Sequence, residues 1–446
     1  MQEAPVKVRS RRVLSNGIVL AFSIACSDLY ADTATPVPLV EPAPVEAYQS
    51  GYGDSVEFGG PSAVSQELDT LNENRDSLYQ LDPLQRGFDP WFKWKEGLND
   101  TSNIKLGVNA LMLYQHSSAD ASADKQRNSA GAIYRFQGSW KGYSSPSGND
   151  GKLEWRLESR SDIGGDPSPQ QFGARYAAAL NTGFPYGNNF DTDLAVLNWT
   201  QLLNDGRAGI AVGRLAFDAY LDAFAFQSPY RGFLNRSFVF NPTLATTGAG
   251  ALGAVAKGFV TDQVWLGAQI YDGNASNGTF DLDTFREYEW LKAIEVGWTP
   301  DIGLRATDRI QFTYWEKDAR HAQGVSAGDG VAVSASRQWT DTLLTFVRLG
   351  HSNGGAGVAA ENAASLGFEY SPWSDRSWTV GAGWADPSRE THGERLDDEY
   401  VVETSYKFQL TKNFSLTPDV QLLLKPAKTP EEDRVWIAGV RAVLTM

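Results

Sequence analysis

The sequence predicts an all-β chain closed into a transmembrane antiparallel β-barrel of about 16 strands, preceded by a short linker and helix. Three observations predict it. Polar and apolar residues alternate at period two from about residue 101 to the end. The connections alternate between very short and long. The apolar faces mix Trp, Tyr and Phe at strand ends with small Ala and Gly, unlike the Val, Ile and Leu of a soluble core.

Composition agrees. A chain of 446 residues holds two or three ordinary domains or one large barrel. Hydrophobic residues make up 42% without sustained runs, which excludes a helical membrane bundle. Aromatics reach 12%, and 43 Gly with 20 Pro supply many turns, as all-β chains need. The net charge of -15 argues against nucleic acid as a partner.

Residues 1–31 read as an export signal. "KVRSRR" (7–12) is basic, "VLSNGIVLAFSIA" (13–25) is mostly apolar, and "LYA" ends in a small-residue cleavage site at Ala31. The apolar run is too short to span a bilayer comfortably. Cys26, the single cysteine, falls inside this signal, so the exported chain depends on no disulfide.

Residues 32–100 read as linker plus a short helical segment, either periplasmic or a plug. The stretch 32–60 is rich in Pro, Val and Glu and reads as extended. Over 61–81, Val64, Leu68, Leu71 and Leu78 recur at helical spacing behind Pro61 and Ser62, with Arg75 interrupting the stripe. Such a stripe suits a helix docked on the main domain or a small coiled coil.

The barrel is assigned to 101–446. In "IKLGVNALMLYQ" (104–115), Ile104, Leu106, Val108, Ala110, Met112 and Tyr114 share a face opposite Lys105, Asn109 and Gln115. "AIYRFQGSWK" (132–141) sets Tyr134, Phe136 and Trp140 against Arg135, Gln137 and Lys141. "KLEWRLESRSD" (152–162) puts Leu153, Trp155 and Leu157 toward lipid and Glu154, Arg156, Glu158 and Arg160 toward a water-filled lumen. Charges are tolerable there and costly on the lipid face. "EDRVWIAGVRAVLTM" (432–446) closes the pattern. Short connections include "LNDGR" (203–207), "TDQ" (261–263), "WTD" (339–341) and "TKN" (411–413); long ones include 164–193, 351–362 and 386–398.

Two stretches carry a family resemblance. "GRLAFDAYLDAFAFQSPYRGFLNRSFVFNP" (213–242) and, more sharply, "YKFQLTKNFSLTPDVQLLLKPAKTPEEDRVWIAGVRAVLTM" (406–446) resemble the carbohydrate-selective porins of the OprB family, with "GWADP" (383–387) a weaker echo. The resemblance covers roughly residues 90–446. It implies a sixteen-stranded outer-membrane barrel of a Gram-negative bacterium, through which small carbohydrates diffuse passively past an inward-folded loop. Residues 215–245 are the candidate loop, carrying Asp218, Tyr220, Asp222, Phe224, Phe226, Tyr230, Arg231, Phe233 and Arg236. Glu154, Arg156, Glu158 and Arg160 resemble the family's charged lumen wall, joined by Arg214 and Arg348 from other strands.

The chemistry fits. A sugar offers hydroxyls and apolar C–H faces, so a constriction wants bidentate polar groups beside aromatic rings. Taken singly, each such charge is more often a group that wets the lumen and pins the loop. The implied partners are small sugars, outer-membrane lipids and the barrel-assembly machinery. A homotrimer is habitual for barrels of this size, though no residue pattern here demands it. The final Met446 departs from the aromatic that usually ends such barrels.

No enzyme signature competes. His116, His321, His351 and His392 lack metal-ligand spacing, and neither a GxSxG elbow nor a P-loop occurs. With 54 Asp plus Glu, some carboxylate pair is always nearby, so pairing carries no signal. No catalytic residue, metal or cofactor is expected. Two alternatives stay open: a general or sugar-acid (anion) porin of the same fold, and a secreted β-rich glycan-binding protein or hydrolase.

Overall fold

The computed structural model describes residues 59–72, 76–79, 82–119, 126–146, 149–164, 167–187, 190–228, 230–248, 250–276 and 284–446. The export signal and most of the expected linker lie outside the described residues.

Two helices precede the sheet. Helix α1, Val64–Asn72, ends well before residue 81. At 78–79 the chain is not helical: the Leu78 and Tyr79 amides donate to the carbonyls of Gln409 and Leu410 at 2.9 and 3.0 Å. Nine residues cannot sustain a helix alone, so packing decides where this one stops. Helix α2, Asp82–Ser102, corrects the reading of this stretch as linker. Gly87, Pro90 and Gly97 disguise it, because each normally argues against a helix interior. Asn103, at φ 53°, ends α2 in the left-handed conformation that Asn tolerates, its N–H donating to the Asn99 carbonyl.

The sheet follows at once. Strands β1 (Ile104–Ser117), β2 (Asn128–Tyr143), β3 (Gly151–Asp162) and β4 (Phe190–Leu203) lead to β5 (Ala208–Leu215) and β6 (Ala251–Phe259). Then come β7 (Val264–Asp272), β8 (Trp290–Trp298), β9 (Arg309–Lys317), β10 (Gly328–Thr340) and β11 (Leu343–Ser352). The last five are β12 (Ala360–Trp373), β13 (Arg376–Pro387), β14 (Glu399–Thr411), β15 (Phe414–Leu424) and β16 (Arg434–Thr445). Each pairs antiparallel with its sequence neighbours, and β1 pairs with β16, so the sheet is a closed sixteen-stranded barrel. Val108 and Met446 exchange backbone hydrogen bonds of 2.7 and 2.8 Å at the seam, and no edge is left unpaired there.

Both ends of the barrel segment lie at the rim of short turns. One follows local chemistry plainly: Asp205 and Gly206 take positive φ as the central pair of a type I′ turn demands, and the Arg207 N–H closes it on the Asn204 carbonyl at 3.0 Å. The opposite rim bears the long loops. Of these, 163–189 and 216–250 bury most of their described residues inside the sheet.

Outward residues form an apolar band. Val212, Ile294, Val296, Phe312, Val347, Leu349 and Leu366 are exposed along mid-strand. Trp140, Trp199, Trp298, Trp339 and Trp373 ring the turn-side end, while Tyr114, Tyr400 and Trp436 lie toward the loop side. An exposed apolar band between two aromatic girdles is the surface a lipid bilayer covers.

This surface predicts a depth-dependent response to charge. Leu366→Arg, at a mid-band residue 57% exposed, should lower folding stability in lipid vesicles by about 2–4 kcal/mol, whereas Asp341→Arg in a turn should change it by less than about 0.5 kcal/mol. Urea titration of the vesicle-embedded barrel measures both.

Candidate functional site

The site is the barrel interior, and the β5–β6 loop 216–250 organises it. From the end of β5 this loop crosses to the far wall. Asp222 accepts hydrogen bonds from Gln311 (2.8 Å) on β9, from Ser334 on β10 and from the Arg348 guanidinium on β11. Its own amide donates to Glu295 of β8 at 2.6 Å. The Arg348 guanidinium stacks 4.0 Å over the Phe224 ring. Asp222 sits at φ 46°, a left-handed conformation that Asp accepts more readily than most residues.

The loop then turns back. Arg231 pairs with Glu369 of β12 at 2.8 Å, and the amides of Leu234 and Asn235 donate to Glu403 of β14 at 2.6 and 2.9 Å. Close approach needs missing side chains on the wall. A Cβ on inward-facing Gly350 would lie 2.0 Å from Thr243 Oγ1, and one on Gly383 would lie 2.4 Å from Ser237 Oγ.

The opposite wall, β1 to β4, carries a charged ladder. Glu158 is held by Arg135 (2.7 Å) and Arg160 (2.6 Å). Arg156 donates to Gln137 at 2.8 Å, and Glu154 accepts from Asn198 (3.0 Å) and Thr200 (2.8 Å). Arg214 of β5 pairs with Asp193 of β4 at 2.9 Å. Helix α1 lies against this ladder: Glu67 meets Arg135, Arg156 and Gln137, Ser65 donates to Glu154, and Asp69 pairs with Lys105 at 2.7 Å. Tyr230, from the loop, donates to Glu67 at 3.0 Å and accepts from Asn109 at 2.6 Å. Burial, and then the neighbouring Glu67 carboxylate, push the Tyr230 phenol well up, so it stays a donor.

The predicted residues therefore converge on one lumen, but in a different state from the one expected. Glu154, Arg156, Glu158, Arg214, Tyr220, Asp222, Tyr230 and Arg348 are only 0–4% exposed. The expectation that lumen water solvates the wall charges is corrected: protein groups do so, because α1 and the infolded loops fill that space. Arg160, Asp218, Arg231 and Arg236 keep partial exposure.

The aromatic expectation is corrected likewise. Phe224, Phe226, Phe233 and Phe238 pack on one another and on Phe346 of β11, with centroids 4.6–6.3 Å apart, and are fully buried. Ring-to-ring burial holds the loop's own core, which sequence alone cannot distinguish from rings presented to a sugar. Sequence reasoning also missed Glu67, Glu295, Glu369, Glu403 and Arg441. Inward parity on their strands was the available signal for the last four; Glu67 had none. Among the described residues, no group of three or more His, Cys, Asp or Glu is placed to hold a metal ion.

Residues 162–446, from the end of β3 to the last residue, match the family described as "Carbohydrate-selective porin, OprB family". The chain belongs to that family. The match begins later than the roughly 90–446 that the motifs suggested. Among curated proteins, Porin AaxA of Chlamydia abortus is 21% identical over 333 residues, covering 68% of each chain. Among solved structures, the high-pH form of Pseudomonas putida OprB superposes with a TM-score of 0.66 at 13% identity, over 80% of this chain and 97% of that one. At that identity the likeness speaks for the barrel fold. Family and fold together are those of a porin, a channel rather than an enzyme.

In this OprB-family lumen the Asp222–Arg348 pair fastens the loop to its far wall. Asp222→Ala should cost about 3–5 kcal/mol by leaving a guanidinium buried and unpaired, and adding Arg348→Met should recover much of the loss. Urea midpoints of the two variants in detergent check this.

Proposed function

We propose that this chain sits in the outer membrane of a Gram-negative bacterium and lets small carbohydrates diffuse passively through its barrel. Outer-membrane lipids cover its apolar band, and the barrel-assembly machinery inserts it. The observation that carries the reading is a polar lumen, narrowed by an infolded loop of paired charges, inside an apolar-faced barrel of the carbohydrate-selective porin family.

The partly exposed Arg160, Asp218, Arg231 and Arg236 are the groups offered to the solute. Guanidinium and carboxylate groups each engage two hydroxyls at once, and their partial compensation keeps the lumen hospitable to neutral molecules. The eight buried residues of the predicted set hold the frame. A sugar-acid porin is the second reading, favoured because three of the four partly exposed groups are guanidinium groups.

Planar-bilayer recordings test this. Glucose should reduce single-channel current saturably. Arg231→Ala, whose side chain is 40% exposed, should raise the half-blocking concentration about fivefold, the equivalent of one lost hydrogen bond near 1 kcal/mol. Channels blocked only by gluconate would replace the first reading with the second. A folded protein that forms no channel would contradict both.

A further inference from the structure

Glu67 receives four side-chain donors from four different residues, and it belongs to α1 rather than to the barrel. Its Oε1 accepts from Arg135 Nη1 at 2.9 Å. Its Oε2 receives Gln137 Nε2 at 2.9 Å, Arg156 Nη2 at 3.0 Å and the Tyr230 hydroxyl at 3.0 Å. The four donors come from two adjacent strands and the infolded loop, and the side chain they enclose has no exposed surface. Two guanidinium groups, an amide and a phenol aimed at one pair of oxygens make a carboxylate receptor.

The rest of segment 59–72 delivers that carboxylate. Gly60 donates to the Ala219 carbonyl at 2.7 Å and Ser62 Oγ to the Gln227 carbonyl at 2.6 Å, both on the loop. Arg156 Nη2 also reaches the Ser62 carbonyl at 3.0 Å. Ala63, Val64 and Leu68 add a small apolar contact. A cavity of about 30 Å³, bordered by Ser62, Arg135, Asp218 and Arg441, adjoins the receptor and has room for a water molecule but not a hexose.

We infer that Arg135, Gln137, Arg156 and Tyr230 form a carboxylate-binding site on the lumen wall, that Glu67 occupies it as an internal ligand, and that segment 59–72 is thereby a plug which carboxylate-bearing solutes displace. This rests on the reading of the chain as a porin. Three of the four receptor donors, Arg135, Gln137 and Arg156, stand on the paired strands β2 and β3, whereas a nine-residue helix has little stability of its own and stays where its contacts keep it. A solute carboxylate offers the same two oxygens and competes for the same donors. A neutral sugar does not.

The test is conductance of the full chain in planar bilayers, with gluconate and glucose as probes. The unaltered protein should open more often as gluconate rises and not as glucose rises. Glu67→Gln keeps the shape, removes the charge and should increase the open fraction about tenfold without gluconate. Arg156→Gln should also open the channel, but with the gluconate response lost. Glu67→Gln channels matching the unaltered protein in open fraction and gluconate response would overturn the inference while leaving the porin reading intact.

Channels from neither form would overturn the porin reading, and calorimetric titration of Glu67→Gln with gluconate would then read the receptor directly. Should Glu67→Gln fail to fold, Ser65→Cys in a Cys26→Ser background takes its place. That thiol should be protected from a methanethiosulfonate reagent without gluconate and labelled with it, and protection under both conditions would overturn the inference.

Discussion

Irregular chain cannot lie at membrane depth unless each of its backbone N–H groups finds an acceptor, and this constraint shapes the whole interior. The two infolded loops bring many such donors into the barrel. Inward carboxylates of the wall receive several of them. Glu399 accepts from Ala179 (3.0 Å), Leu180 (3.1 Å) and Ala427 (3.2 Å). Glu403 takes the pair at 234–235 and Glu295 takes Asp222. Inward carboxylates on the strands therefore serve as anchors for the loop backbone. The closed sheet solves the same problem for itself by pairing every strand on both sides.

Charges so placed must then be neutralised. Each buried ion costs several kcal/mol in lost hydration, and a pair returns this only with good geometry and further hydrogen bonds. The lumen meets that condition with clusters rather than isolated pairs: Asp222 has Arg348, Gln311 and Ser334, and Glu158 has two guanidinium groups. Such clusters fix where the loop lies more than they add stability. The loop is fastened at β1, at β8 to β12 and at β14, whereas α1 leans on the β1–β3 side and on the loop. That asymmetry separates the frame of the lumen from the segment able to leave it.

The barrel was legible because lipid enforces a strict alternation. Leu153, Trp155 and Leu157 against Glu154, Arg156 and Glu158 state their two faces outright, and the turn "LNDGR" states its hairpin. The interior was less legible, because inward parity says that a residue faces the lumen and not what meets it there. Leu111, Leu113 and Ile133 face inward and are apolar, packing with Tyr186, Tyr230, Leu234 and Val443. Only the infolded loops make sense of them. Glu67 lies on a short helix whose partners are 68 to 163 residues away in sequence, a distance over which local pattern carries no information. Helix α2 was hidden by its own Pro and Gly residues.

A polar passage through an apolar-walled barrel is measured by solute entry into proteoliposomes. Vesicles carrying the purified protein, loaded with an impermeant dextran and diluted into isotonic glucose, should swell measurably faster than protein-free vesicles. Swelling no faster than in protein-free vesicles, from a barrel shown to be folded and inserted, would rule such a passage out.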